Sequence, residues 1–280
     1  MKRRLDILLL ERGLAPSRER AQAMILAGRV LVDEQKVEKP GHAVAEDCSV
    51  RLLGAEQRYV SRGGLKLEAA LTHWKIAVEG AVCMDVGAST GGFTDCLLQH
   101  GAASVLAVDT GYGQIDARLR ADSRVRLLEK TNARYLGAEQ VPEAVELVAM
   151  DVSFISATQV LPAVVRAAFN EKGQSLHPNK PTPGSHPSAP TTGAPGTPGS
   201  LGTPTRRELV LLIKPQFEVG RERVGKGGIV RSEEARQEAV ARVREAVAQL
   251  GGREIEVIDS PILGAEGNRE FLLHARFDAP

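Results

Sequence analysis

The sequence predicts an α/β protein: a parallel sheet flanked by helices, preceded by a small α+β unit. Three observations carry that expectation. From Gly63 onward, apolar runs of strand length alternate with amphipathic helical stretches, the pattern of a sheet covered on both faces. The runs AVCMDVG, SVLAVDTG, ELVAMDVSF and ELVLLIKPQF each pass abruptly into polar or glycine-rich residues. Residues 1–54 instead read as two short helices, a hairpin and a further strand. A chain of 280 residues accommodates two such units at ~150 residues per domain.

Within residues 4–28, Leu5, Leu8, Leu9 and Arg12 share one helical face, and Gly13 ends that helix. Ser17 caps a second helix, SRERAQAMILAG, which closes at Gly28. Val30 and Val32 alternate along a strand, Asp33-Glu34 turns, and Val37 returns before Lys39-Pro40-Gly41. Cys48–Leu53 adds a strand. The unit is expected to end at Gly54, with residues 55–62 as a linker and 63–280 as the larger domain. In that domain GGLKLEAALTHW and FTDCLLQHG predict helices around the AVCMDVG strand, and further helices are expected near 157–170 and 232–250. Residues 172–205 hold eight of the fifteen prolines, many Gly, Ser and Thr, and no aromatic residue. Such a stretch cannot bury enough apolar surface to offset its ordering entropy, which predicts a disordered spacer.

Composition narrows the classes. Hydrophobic residues at 42% and charged residues at 25% exclude a wholly disordered or collagen-like chain. The net charge of +1 names no partner, but its distribution does. Residues 1–30 carry Lys2, Arg3, Arg4, Arg12, Arg18, Arg20 and Arg29 against Asp6, Glu11 and Glu19, a locally basic segment suited to a polyanion. Cys48, Cys83 and Cys96 form no C-x-x-C pair and are odd in number, which suits a reducing cytoplasm and no structural zinc. The apolar run Ile7–Leu10 is bracketed by Asp6 and Glu11, too short for a signal peptide, and no run approaches the ~20 apolar residues that span a bilayer. A cytoplasmic chain with no membrane or metal partner is therefore expected.

The strongest local signal is Asp85-Val86-Gly87-Ala88-Ser89-Thr90-Gly91-Gly92-Phe93, set between a strand and a helix. Backbone N–H groups and small residues there allow close approach of a ligand. Asp109 ends the next strand, where a carboxylate can bind both hydroxyls of a ribose. The loop reads G-x-S-x-G-G rather than the dinucleotide G-x-G-x-x-G, and an acid before its first glycine suits a cationic ligand better than a diphosphate. It resembles motif I of the class I S-adenosylmethionine-dependent methyltransferases. That resemblance implies a Rossmann-like fold with a mostly parallel seven-stranded sheet. It implies S-adenosylmethionine on Asp85, Gly87, Ser89, Gly91, Gly92 and Phe93, with Asp85 drawing the methionine ammonium directly or through water. Asp109 would hold the ribose, Thr131 and Asn132 would lie beside the adenine, and Asp151 would sit next to the transferred methyl.

Lys66, Asp151, Lys214 and Glu270 stand where such a sheet gathers its ligand crevice, at or near strand ends. Taken singly, each has a bland reading: a solvated helix lysine, a helix cap, a strand-end salt bridge. Together they resemble the Lys-Asp-Lys-Glu tetrad of the RrmJ/FtsJ-type ribose 2′-O-methyltransferases. That resemblance implies that Lys214 orients a ribose hydroxyl, a poor nucleophile, and helps remove its proton.

RLDILLLERGLAPSRERAQAMILAGRVLVDEQKVEKPG resembles the S-four RNA-binding domain, through LD-x-LL-x-x-x-GLA-x-SR and A-x-x-x-I-x-x-GRV-x-V. By that resemblance Arg18, Arg20 and Gln22 would face RNA, with Arg4 and Lys39 nearby; a second basic surface for RNA is expected near Lys66 and Arg62, outside this module. An S-four module before an FtsJ-like domain is similar to the arrangement of the TlyA family, as are RYVSRGGLKL, MDVSFIS, LIKPQFE-x-G and KGGIVR. The resemblance implies 2′-O-methylation of cytidine in 16S and/or 23S ribosomal RNA, as naked RNA or ribosomal subunits, with no obligate protein partner. The rival readings are a non-catalytic ribosome-assembly factor and the haemolysin that some family members were called. Lys226-Gly227-Gly228 reads equally as a lid or a surface turn. Arg58, Tyr59, Ser61 and Arg62 read as a tether or as a relay between the two parts.

Overall fold

Contacts divide the chain into two units, Met1–Arg58 and Tyr59–Pro280. The computed structural model describes residues 2–53, 58–141, 144–169, 207–264 and 267–278. The expected proline-rich spacer therefore lies outside the described residues.

The small unit begins with a strand, β1 (Lys2–Arg4), paired antiparallel with β4 (Ala43–Ala45). Helix α1 (Leu5–Glu11) follows at once, so Arg4 lies on a strand rather than in the first helix as its sequence suggested. The ribbon carries on into that helix: Leu5 N donates to His42 O and Asp6 N to Pro40 O, at 2.9 and 3.1 Å. Helix α2 (Arg18–Leu26) is capped by Ser17, whose hydroxyl accepts from Arg20 N. Strands β2 (Val30–Val32), β3 (Gln35–Lys36) and β5 (Val50–Leu52) form an antiparallel sheet ordered β3-β2-β5. The turn residues Asp33 and Glu34 both have left-handed φ, +49° and +63°, the twist that a two-residue hairpin needs. The expected alternation along β2 is not seen: Val30, Leu31 and Val32 are all buried, so side chains on both faces of this central strand are covered. Leu5, Leu8, Leu9, Ala21, Ile25, Val30 and Val32 make the core.

The large unit is one seven-stranded sheet ordered β11-β12-β10-β9-β6-β7-β8. Strands β6 (Val82–Val86), β7 (Ser104–Val108), β8 (Val125–Leu128), β9 (Leu147–Met150) and β10 (Glu208–Ile213) run parallel. Strand β12 (Phe271–Arg276) is antiparallel to β10 and to the edge strand β11 (Arg253–Asp259). Helices α3 (Gly63–His73) and α4 (Gly92–Gln99) cover one face; α6 (Ala157–Ala168) and α8 (Glu233–Gln249) cover the other. The helix α5 (Ala117–Ala121) precedes β8, and α7 (Pro215–Glu218) follows β10. Burial on both faces explains the unbroken apolar runs. Leu209, Leu211 and Ile213 join Val148 and Met150 under α6 and α8, while Val210 and Leu212 join Leu147 and Ala149 under α3 and α4.

Residues 59–62, expected in the linker, pack within the large unit. Tyr59 is buried against Gly64, where a Cβ would meet its ring, and Val60 N donates to Asp95 Oδ2 at 2.7 Å. Lys226-Gly227-Gly228 forms a turn: Gly228 N bonds to Gly225 O, and Asn268 holds the segment through Gly228 O at 2.8 Å and Val230 N at 3.0 Å.

Because Leu211 is fully buried in the middle of the sheet, Leu211→Ala is expected to cost about 3 kcal/mol, read from urea unfolding followed by circular dichroism.

Candidate active site

Parallel strands bring their carboxyl ends to one edge, and five of those ends carry the residues at issue. Strand β6 ends at Val86 and opens into the glycine loop, which leads to α4 at Gly92. Gly87 and Gly91 sit at φ +87° and +95°. A Cβ at Gly87 would strike the Asp151 carbonyl, and one at Gly91 the Leu119 side chain. Only glycine lets the loop lie that close to the end of β9.

Asp109, at the end of β7, braces the same loop. Its Oδ2 accepts from Ser89 N at 2.8 Å, and its Oδ1 from Gly111 N at 2.6 Å. Thr131 N donates to Asp109 O at 2.9 Å, and the Asn132 side chain accepts from Arg134 N at 3.0 Å. Two clefts flank a ridge formed by Gly87, Ser89 and Asp151. One, of about 350 Å³, is lined by Asp109, Gly111, Gln114, Thr131, Asn132 and Ile155 among others. The other, of about 300 Å³, is lined by Ser61, Arg62, Lys66, Gly92, Phe93 and Leu263 among others.

Asp85 lines neither cleft. It is fully buried, pointing toward α4, and its Oδ2 accepts from Thr94 N at 2.9 Å and Thr94 Oγ1 at 2.6 Å. Its Oδ1 has no hydrogen-bond partner among the described residues. A direct bond from Asp85 to a ligand in either cleft, one of the two routes the sequence suggested, does not occur in this geometry. The carboxyl instead fixes the first turn of α4, because β6 side chains at this register face the helices α3 and α4. Burial pushes its pKa up to about 7.

The four candidate catalytic residues resolve into two ion pairs. Lys66 Nζ on α3 donates to Glu270 Oε2 at 2.5 Å, with side chains only 10% and 2% exposed. Glu270 lies just before β12, 204 residues away. Lys214 Nζ sits 2.5 Å from Asp151 Oδ1 and donates to Ser153 Oγ at 2.7 Å. Lys66 and Asp151 both face the smaller cleft. Near-buried ammonium groups persist only when paired, and the charges cancel two by two.

Three residues that sequence reasoning missed shape this edge. Ser153 supplies the acceptor for Lys214; it lies in MDVSFIS, a motif noted for its family likeness but given no role there. Glu218 accepts from Ser156 Oγ at 2.6 Å and Ala157 N at 2.7 Å, tying the segment after Lys214 to the start of α6. Burial raises its pKa. Phe154 adopts φ +65° and is 92% exposed at the mouth of the larger cleft, its ring 5.4 Å from that of Phe217. Nothing local predicts so bare an aromatic.

In the small unit, Arg4, Arg18 and Gln22 converge on the Asp6 carboxylate at 2.9–3.0 Å. Arg20 and Lys39 are exposed, Lys39 in a shallow groove with Lys36 and His42. Arg62, in the large unit, donates to Leu263 O at 3.3 Å. Among the described residues no group of His, Cys, Asp or Glu could hold a metal ion, and no helix is long and apolar enough to cross a membrane.

A mostly parallel seven-stranded sheet, a glycine loop after β6 and an acid ending β7 define the S-adenosylmethionine-dependent methyltransferase fold. Residues 59–277 match the FtsJ-like methyltransferase family and residues 3–47 the S4 domain. The chain is 40% identical over 274 residues to the 16S/23S rRNA (cytidine-2′-O)-methyltransferase TlyA of Mycobacterium tuberculosis, covering 98% of this chain and 89% of that one. It is 36% identical to Hemolysin A of Brachyspira hyodysenteriae, covering 97% and 98%. The solved structure of a Streptococcus thermophilus protein with the provisional name hemolysin superposes with a TM-score of 0.66 at 36% identity, covering 100% of this chain and 90% of that one. The chain belongs to the TlyA family of FtsJ-like methyltransferases.

Two outcomes follow from the geometry. Gly87→Ala is expected to lower cofactor affinity at least tenfold, since the loop must move off the Asp151 carbonyl; calorimetric titration checks it. The raised pKa of Asp85 means that the folded chain holds this proton more tightly than the unfolded one, whose value is near 3.8. That stability is fully present below 3.8 and is lost as pH rises through about 7. Asp85→Asn is therefore expected to gain stability relative to the native chain as pH rises from about 4 to about 7, then to level off. Urea unfolding across that range tests it, and a pH-independent difference contradicts it.

Proposed function

We propose that the chain transfers a methyl group from S-adenosylmethionine to the 2′-hydroxyl of a cytidine in ribosomal RNA of the 16S and/or 23S type. The observation that carries this reading is the Lys214–Asp151 pair at the strand ends, one ridge from the glycine loop. The name of the Mycobacterium tuberculosis relative supports the substrate. The fit of the cofactor rests on the loop itself: the glycines keep the ridge low, and Asp109 and Asn132 offer polar groups along the larger cleft. The bound cofactor supplies an electrophilic methyl on a sulfonium.

The residues of the chain do the rest. Asp109 would take the ribose hydroxyls of the cofactor, and Thr131 and Asn132 would lie along its base. Asp85 would act through α4, holding the loop from below by its Thr94 bonds. Lys214, held by Asp151 and Ser153, would donate its remaining N–H to the 2′-oxygen and set it in line with the methyl. The proton that the 2′-hydroxyl loses on taking the methyl would pass to the carboxylate of this pair, Asp151, whose Oδ1 lies 2.5 Å from Lys214 Nζ. Positioning of this kind supplies several kcal/mol of a barrier. Lys66 and Glu270 would close the far side of the smaller cleft, with Arg62 at its rim. The exposed ring of Phe154 offers a face on which an unstacked base can lie. Arg4, Arg18, Arg20 and Lys39 would engage the RNA backbone from the small unit. A ribosomal substrate would put the chain in the cytoplasm, a compartment that suits its three buried cysteines, Cys48, Cys83 and Cys96.

Lys214→Ala is expected to lower methyl transfer about a thousandfold while leaving cofactor binding intact. The assay is label transfer from radioactive S-adenosylmethionine to purified 30S and 50S subunits lacking the modification. Label in RNA with the native chain alone supports the reading. Equal label with both chains removes Lys214 from the chemistry. No label with either chain, cofactor bound, turns the reading toward a non-catalytic RNA-binding factor.

A further inference from the structure

The small unit buries a carboxylate for which methyl transfer has no use. Asp6, in the first turn of α1, is fully buried. Its Oδ1 accepts from Arg4 Nε at 3.0 Å and Ile7 N at 3.1 Å. Its Oδ2 accepts from Arg4 Nη2 at 3.0 Å, Arg18 Nε at 3.0 Å and Gln22 Nε2 at 2.9 Å. These bonds, Arg4 foremost, hold the carboxyl well below the usual range against the opposing effect of burial.

The anion is buried but its cations are not. The side chains of Arg4 and Arg18 stay 48% and 47% exposed. They come from different elements, β1 and the first turn of α2, and two guanidinium groups side by side would repel without the anion beneath them. Two guanidiniums over one carboxylate leave a surplus charge of +1 facing solvent. Arg18 reaches Asp6 through Nε alone, and Arg4 through Nε and Nη2. Arg18 Nη1 and Nη2 and Arg4 Nη1 make no hydrogen bond to another described residue. Each arginine is thus gripped on one edge and offers its other donors outward. Gln22, expected to touch RNA, instead gives its amide to the carboxylate.

We propose that Asp6 is a positioning residue for RNA: a buried anion that sets Arg4 and Arg18 as a ready-made clamp for one backbone phosphodiester. Phosphate oxygens are matched by paired, planar N–H donors, and a fork already ordered binds without paying for its own ordering. The inference rests on the reading of this unit as RNA-binding, and it makes a demand that simple charge attraction does not. Removing a negative charge should weaken the hold on a polyanion.

The test is filter binding of the full chain to unmodified 16S and 23S rRNA transcripts over a range of salt. Asp6→Asn is expected to weaken binding about fivefold although it adds a unit of positive charge, with little change in the salt slope. Arg18→Ala is expected to weaken binding and reduce the slope by about one. Asp6→Asn added to Arg4→Ala/Arg18→Ala should cause no further loss, whereas a merely structural role would. Equal or tighter binding by folded Asp6→Asn overturns the proposal. If that variant fails to fold, Arg18→Lys decides, since it keeps the charge but gives up the fork: wild-type affinity overturns the proposal and a loss of about fivefold supports it. Should Arg4→Ala/Arg18→Ala bind like the native chain, the RNA-facing reading of this surface falls with it.

Discussion

A lysine ammonium held in a nearly dry site must have a carboxylate beside it, and that requirement organises the functional edge of the large unit. Lys214 follows β10, a strand buried along its whole length, and Asp151 follows its equally buried neighbour β9. Lys66 projects from α3 toward Glu270, which enters β12. Each pair joins separate elements: Lys214–Asp151 needs β9 and β10 side by side, and Lys66–Glu270 needs α3 docked beside the start of β12. Breaking one member would strand its partner, a costlier event than losing a surface bridge.

The glycine loop depends on the same edge. Its closeness to the Asp151 backbone forbids a side chain at Gly87, and its curvature is braced from two sides. Asp109 pins Ser89 N from β7, and Asp85 pins Thr94 from within the core. One carboxylate is at the cleft and the other is sealed off: Asp109 follows the last residue of β7, whereas Asp85 lies within β6. Their different surroundings give them different work: Asp109 lines the larger cleft and braces the loop from its open side, while Asp85 carries the cost of burial and shapes the loop from below. Glu218 performs a related task on the far side, where its bonds to Ser156 and Ala157 hold the segment after Lys214 to the start of α6.

The small unit solves a different problem with similar means. It has too little core to hide a charge cheaply, yet it sequesters Asp6 and leaves the arginines around it half exposed. Buried anion and exposed cations together make a surface whose geometry is set before a partner arrives. The same logic runs through both units: a carboxylate out of reach of solvent determines where a cation stands.

Much of this was legible in the chain itself. The alternation of apolar runs and helical stretches gave the α/β class, because periodicity of burial is a local property. The glycine loop, Asp109 and the strand-end lysine stood out because few residue types tolerate those positions. The edge strand β11 was passed over because Ile255 and Val257 alternate with Glu254 and Glu256, a half-buried pattern unlike the unbroken apolar runs of the parallel strands, and β1 was hidden because three charged residues pair only with a segment some forty positions on. Which carboxylate each lysine meets, which way Asp85 faces, and how Arg4 and Arg18 gather on Asp6 were decided only by tertiary structure. Those contacts join residues far apart in sequence, and the energy that selects them, pairing a charge removed from water, exists only once the fold has removed it.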